Sequence, residues 1–327
     1  MLLDGGEKNR REEGEGGDSA VPAAITDTGC ERDLNEDRYA VVESGSGLAW
    51  LVCDGMGGAA GGELAAQLAI DAIRRDLENL PPRAPEAALR SALAEANRVI
   101  VLRRQNQAFS QMGTTIVAAL FSGPEVVLGH VGDSRAYLVR DGAIQQLTTD
   151  HTYVQKLVEQ GQIHADEALS HPQAHILTRA IGSEPALECD VQRFWVWQVA
   201  EFEPSDQLVL CSDGLYSLVT EGEIANTISQ HPPQRACVQL VELARARGGF
   251  DNITLAVIPL AGQLRQEPPI GYEEPVIRQR ASARRRRERA SPGGRTGTHM
   301  TLTILVLSGL AALLTVLGMF FSLSNQG

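Results

Sequence analysis

Leu51-Val52-Cys53-Asp54-Gly55-Met56-Gly57-Gly58 is a short apolar run that ends abruptly on an aspartate and a cluster of glycines. Such a run reads as a buried strand. A carboxylate at its mouth is costly unless something pairs with it. Two distant segments repeat the theme: Leu208-Val209-Leu210-Cys211-Ser212-Asp213-Gly214, and Phe250-Asp251-Asn252-Ile253-Thr254. Carboxylates brought together from three such stations would repel one another and hold protons, unless divalent cations reverse the local charge balance. Hard cations such as Mg²⁺ and Mn²⁺ take oxygen ligands, and two adjacent ions need a carboxylate to bridge them. The stations therefore predict a dinuclear hydrolase.

The rest of the composition narrows the class. At 327 residues, with 43% hydrophobic and 21% charged residues, the chain has room for one large domain plus extensions. A formal net charge of −12 argues against a nucleic-acid partner, since no field draws phosphate backbone to the bulk of the protein. The charge is unevenly placed. Residues 265–299 hold nine arginines against four glutamates, a local +5 that leaves −17 for the remainder. So sharp a change of sign marks a boundary. The five cysteines, Cys30, Cys53, Cys189, Cys211 and Cys237, form no C-x-x-C pair. Together with a charged, Gly-rich start that lacks a secretory signal, they fit a reducing cytosolic compartment.

Residues 1–21 are too polar to fold and read as a disordered tail. Residues 22–262 alternate strand-like and helical segments. Strands are expected at 38–43, 49–53, 114–121, 125–131, 136–139, 194–199, 207–211 and 253–258, with a hairpin turn at Asp141-Gly142. Helices are expected at 62–78, 85–106, 152–160 and 234–247. In the second, Leu89, Leu93, Ala96 and Ile100 form one apolar stripe. Short strands joined by hairpins, with helices in pairs, favour an antiparallel α+β layered fold over a doubly wound parallel sheet.

Residues 263–299 are Pro- and Arg-rich and read as a linker. Residues 300–323 form an uncharged run of 24 residues. At about 1.5 Å per residue a helix of that length exceeds the roughly 30 Å hydrocarbon core. The arginines before it place the large N-terminal domain in the cytoplasm and residues 324–327 outside. The expected protein is single-pass and anchored in the cell membrane, with the Arg284-to-Arg287 run next to lipid headgroups.

Ahead of the first station, Arg32, Glu36 and Asp37 in Arg32-Asp33-Leu34-Asn35-Glu36-Asp37 add two carboxylates and a guanidinium. With Gly113-Thr114-Thr115, Gly132-Asp133-Ser134-Arg135, Leu177-Thr178-Arg179-Ala180-Ile181-Gly182, Ser212-Asp213-Gly214 and Asp251-Asn252 in order, the set resembles the metal-dependent Ser/Thr protein phosphatases (PPM, type 2C) in their bacterial form. The resemblance runs from about residue 23 to residue 257. It implies a PP2C-like four-layer sandwich of two antiparallel β-sheets flanked by helices. It also implies that Asp54 bridges two Mn²⁺ or Mg²⁺ ions, that the Gly55 carbonyl ligates one, and that Asp213 and Asp251 hold the first. Glu36 is expected to reach the second through water, and Asp37 to orient water from behind. Asp133, with Asp213, matches a third and weaker metal site.

By the same resemblance the two ions activate a bridging water for in-line attack on phosphorus, so no nucleophilic Cys or Ser is needed. Arg32 grips two phosphate oxygens with its planar fork. The expected substrates are phosphoserine and phosphothreonine proteins, including kinases and the proteins they modify. One position departs from the pattern. Where eukaryotic members often carry a histidine after the Asp-Gly, this chain has Met56, which cannot donate a proton. His130 and His151 lie near motifs and read as structural histidines. Two other functions use the same residues: a catalytically silent membrane sensor or scaffold, and a metal-dependent hydrolase of another phosphate ester. The first would be marked by a missing ligand, and none is missing. No G-x-x-x-x-G-K-[ST] loop supports a nucleotide site. Trp195 and Trp197 alternate as packing residues do.

Overall fold

The computed structural model describes residues 21–57, 61–123, 125–195 and 206–260. They belong to the first of two compact units, residues 1–273; the second, residues 274–327, lies outside the described residues, as do the expected tail except residue 21, the linker and the membrane span. Among the described residues no helix is long and apolar enough to cross a membrane.

Among the described residues eleven strands form two antiparallel sheets. The first takes the order β1(Ala23–Asp27), β11(Ile253–Pro259), β10(Gln207–Cys211), β7(Arg135–Arg140), β8(Ala143–Gln146). The second runs β2(Asp37–Ser44), β3(Gly47–Met56), β5(Ile116–Ser122), β6(Glu125–Val131), β9(Asp190–Trp195), with the short β4(Gly113–Thr114) paired to the end of β3. Asp141 and Gly142, at φ 48° and 73°, make the expected two-residue hairpin turn between β7 and β8.

Strand β3 shows why the sheets stack. It is apolar on both faces because both are covered. Ala49, Leu51 and Cys53 pack with Ala65, Ile73, Leu89 and Leu93 of α1(Gly61–Asn79) and α2(Pro85–Arg103). Trp50 and Val52 point the other way, into a layer shared with Val117, Leu208, Leu210, Ala256 and Ile258 of both sheets. On the far side, Val209, Cys211 and Leu255 meet Ile224 of α5(Glu221–Gln230) and Leu240 of α6(Pro233–Ala246). The order is helices, sheet, sheet, helices: the expected four layers.

Three details differ from the sequence reading. The strand expected at 194–199 begins at Asp190, and residues 196–205 lie outside the described residues. Strand β1 and helix α5 were not anticipated. Nor was α4(Asp213–Tyr216), a single turn that starts on a predicted metal ligand. Short elements include a 3₁₀ helix at Gln107–Phe109, α3(Tyr153–Glu159) capped by Thr152, and a 3₁₀ helix at Ala165–Glu167. The last two lie in the excursion between β8 and β9.

Candidate active site

The alternation that builds the inter-sheet layer also builds the site. Side chains two apart on a strand share a face. Beyond Trp50 and Val52 the next residue on that face of β3 is Asp54. Beyond Leu208 and Leu210 on β10 it is Ser212, and back along β11 from Ile258 and Ala256 it is Thr254. Extending the apolar layer by one residue on each strand turns it into a polar one. Asp37 is the cross-strand partner of Asp54, and its Oδ2 accepts a 2.7 Å hydrogen bond from Ser212 Oγ of the opposite sheet. The Thr115 and Ser134 hydroxyls meet at 2.6 Å, and Thr115 Oγ1 also accepts the Asp54 amide at 3.0 Å. These small hydroxyl residues were missed in the sequence, though strand parity could have found them.

The predicted acids gather around this layer. Asp133 lies in the β6–β7 turn, Asp213 opens α4, and Asp251 stands two residues before the start of β11. Burial and the negative charges of Asp37, Asp213, Asp133 and Asp251 push the Asp54 carboxyl well above the usual range. Burial raises Asp37 to about 7, against the pull of its Ser212 and Thr254 hydrogen bonds. It raises Asp133 to about 8, with Asp213 and Asp150 adding repulsion. Asp213 is also raised, by burial and by the charge of Asp251. Its Oδ1 is buried and accepts no hydrogen bond from any described residue. A buried orphan carboxylate oxygen is expensive.

The flanking loop supplies the remaining residues. Glu36 Oε1 accepts the Gly62 amide at 3.1 Å. Its own amide donates to Asn252 Oδ1 at 2.7 Å, and Asn252 in turn donates to the carbonyls of Thr28 and Leu34. Asn252 thereby pins the Arg32–Asp37 loop beside Asp251. Arg32 Nη2 reaches Asp251 Oδ2 at 2.7 Å, with both side chains open to solvent. Gly55 sits beneath α1, its Cα facing the Gly62 carbonyl.

The donor set is all oxygen, from Asp54, Asp213, Asp251, Glu36, Asp133 and the Gly55 carbonyl, and this suits Mn²⁺ or Mg²⁺. The orphaned Asp213 oxygen and the mutual repulsion of the acids are what a cation would relieve, so the residues fit the implied metals. Among the described residues no three of these carboxylates offer oxygens all within 4.8 Å of one another. Oxygens on one such ion, each at about 2.1 Å, lie within about 4.2 Å of one another, so Asp54, Asp213 and Asp251 would have to close up to share an ion; here Asp251 is turned to Arg32 instead. A cavity of about 270 Å³ adjoins Asp133 and Asp213, and the excursion residues Thr152, Leu169 and His175 help to wall it. His130 and His151 lie outside the acid cluster, stacked on each other at 4.5 Å.

Known proteins share this sequence pattern and fold. Residues 31–238 match the family model for protein phosphatase 2C. The serine/threonine phosphatase stp of Listeria monocytogenes is 36% identical over 240 residues, 71% of this chain and 93% of that protein. The serine/threonine protein phosphatase PstP of Mycobacterium tuberculosis is 38% identical over 239 residues, 72% of this chain and 44% of that protein. The crystal structure of the Mycobacterium tuberculosis phosphatase PstP/Ppp superposes with a TM-score of 0.65 at 36% identity, covering 72% of this chain and 97% of that one. The catalytic domain of PstP in complex with two manganese ions superposes at 0.63 and 34% identity, over 72% of this chain and 96% of that one. With the fold, the ordered motifs and these relatives in agreement, the chain belongs to the protein phosphatase 2C family of metal-dependent Ser/Thr phosphatases.

Proposed function

We propose that this chain removes phosphate from phosphoserine and phosphothreonine of proteins at the cytoplasmic face of the membrane, opposing Ser/Thr protein kinases. The observation that carries the catalytic part is Asp213 Oδ1, buried with no hydrogen-bond partner among the described residues, on a carboxylate that interacts electrostatically with Asp54 and Asp251. Asp54 would hold two Mn²⁺ or Mg²⁺ ions together, the Gly55 carbonyl and Glu36 would serve one of them, and Asp213 and Asp251 the other. Asp133 with Asp213 would take a third, weaker ion. When bound, the ions supply charge neutralisation and an activated water for in-line attack on phosphorus.

The chain's own residues do the rest. Arg32 would leave Asp251 as that carboxylate turns to metal, freeing its fork for two phosphate oxygens. Asp37, held by Ser212 and Thr254 and raised to about 7, sits next to Asp54 in register and can keep or give up a proton near neutral pH. Anchoring rests on residues 300–323 and on the arginines before them. The test compares the full chain on a phosphothreonine peptide, a phosphoserine peptide and nucleoside triphosphates, each with Mn²⁺. The expected result is turnover of the peptides well above that of the nucleotides. Preferential nucleotide hydrolysis would assign the site to another phosphate ester.

A further inference from the structure

His151 is bound on every side, and the bonds define its chemical state. Its Nδ1 accepts the Gly132 amide at 3.1 Å, and its own amide donates to the Gly132 carbonyl at 2.8 Å. An Nδ1 that accepts leaves the single proton of a neutral ring on Nε2, which faces Asp190 Oδ2 at 3.3 Å. Asp190 is held on its other oxygen by Arg179 Nη1 at 2.9 Å. Burial, the stacked His130 and the Arg179 charge lower His151 to about 4, against the pull of Asp190.

These bonds join three pieces of chain. His151 and Arg179 stand at the two feet of the excursion 152–177, which are also tied by Thr178 N to His151 O, Tyr153 N to Ile176 O and the Thr152–Leu177 bridge. Gly132 is the residue before Asp133. It has φ +104°, and a Cβ there would lie 2.6 Å from Thr115 Cγ2, so the turn admits little adjustment. Tyr216 Oη fixes the turn from the other side by donating to the Asp133 carbonyl at 3.0 Å.

We infer that His151 is a positioning residue: as a neutral imidazole it locks the Gly132–Asp133 turn to both feet of the 152–177 excursion, so that the aim of the Asp133 carboxylate and the seating of the excursion are set together. The competing reading is a metal held by His130, His151 and Asp190, whose ligand atoms lie within 4.8 Å of one another. It would require His151 to offer a lone pair from Nε2 while Nδ1 still accepts from Gly132, an imidazole with no proton at all. Arg179 already occupies Asp190. The hydrogen-bonded lock satisfies every one of these groups and the metal does not.

The consequence for metal binding rests on the proposed role of Asp133, so the test separates the two. In full-length metal-free protein, hydrogen exchange at the Gly132 amide is measured by NMR for wild type, His151→Leu and His151→Asn, and Mn²⁺ binding is measured by calorimetry beside Asp133→Asn. Loss of the Nδ1 acceptor in His151→Leu should speed Gly132 exchange about tenfold, the worth of one buried hydrogen bond. It should also weaken the low-affinity Mn²⁺ site as far as Asp133→Asn does. His151→Asn, whose Oδ1 can stand in for Nδ1, should restore both. Unchanged Gly132 exchange in His151→Leu, or no recovery in His151→Asn, would overturn the lock. Should His151→Leu not fold, the ¹⁵N signals of the wild-type imidazole decide: a bare Nδ1 supports the lock and a protonated Nδ1 refutes it. If Asp133→Asn leaves Mn²⁺ binding intact, the metal role of Asp133 fails while Gly132 exchange still judges the lock.

Discussion

Asp213 keeps one carboxylate oxygen buried and unbonded to any described residue, next to Asp54 and Asp251. Burying that oxygen without a donor costs stability, a cost that a bound cation would offset. The acids are an electrostatic load on the metal-free protein, and the load has a sign in pH. Asp37 at about 7 and Asp133 at about 8 bind more protons folded than unfolded in the range up to those values. Stability therefore falls as pH rises through them. The lowered histidines His130 and His151 work oppositely, but below their ordinary value of about 6.5. Between pH 6.5 and 8, metal-free protein should lose stability as pH rises, and saturating Mn²⁺ should remove or reverse the trend. Thermal unfolding at several pH values with and without Mn²⁺ checks this. A rise in metal-free stability over that window would mean that the acids are already compensated by something else.

At the scale of elements, the site depends on how closely α4 seats against the start of β11. A Cβ on Gly214 would stand 2.0 Å from the Asn252 carbonyl, so Gly214→Ala must push the turn carrying Asp213 away from Asp251 and Asn252. Denaturant unfolding should show a loss of about 1–3 kcal/mol, the usual cost of overpacking. Turnover should fall further than stability explains. Unaltered stability with full activity would show that the turn has slack that its packing does not suggest. The elements also show what the sequence made legible. Strands β3, β10 and β11 were plain because both faces are buried and their runs are almost purely apolar. Edge strands β1 and β9 were not: Ala23-Ala24-Ile25-Thr26-Asp27 is short, and Asp190-Val191-Gln192-Arg193 has a single apolar residue because solvent covers much of it. The four residues of α4 are too few to show a helical period. Helix α5 did carry a signal, the Thr220–Glu223 capping box ahead of Ile224 and Ile228.

In the sequence, the β-sandwich domain is followed by a segment of opposite chemistry, Arg-rich and then uncharged. The candidate ligands Asp54 and Asp213 stood out because each ends an apolar run with an acid, which is costly unless something pairs with it. The polar layer beneath them was harder to see, since Thr115, Ser134, Ser212 and Thr254 are unremarkable until the strands are placed in register. In the excursion 152–177 the expected helix at 152–160 is present as α3, while the seating of the excursion depends on contacts of its feet with Gly132 and Asp190 that are remote in sequence. If residues 300–323 anchor the chain, full-length protein expressed in bacteria should sediment with membranes and resist high salt, while deletion of that segment should leave it in the supernatant. Recovery of the full-length protein in the supernatant would contradict the anchor and leave the catalytic reading untouched.

The account turns on Asp54, Asp213 and Asp251 acting together through divalent metal. The most direct measurement is phosphate release from a phosphothreonine peptide with Mn²⁺, with Mg²⁺ and with chelator, for wild type and for Asp213→Asn shown to be folded. Outer partners of metal ligands typically cost 10- to 100-fold when removed, so loss of a direct ligand should cost at least about a hundredfold. The account predicts release that requires metal and falls by that much in Asp213→Asn. Undiminished release in chelator, or by the folded Asp213→Asn variant, would contradict it.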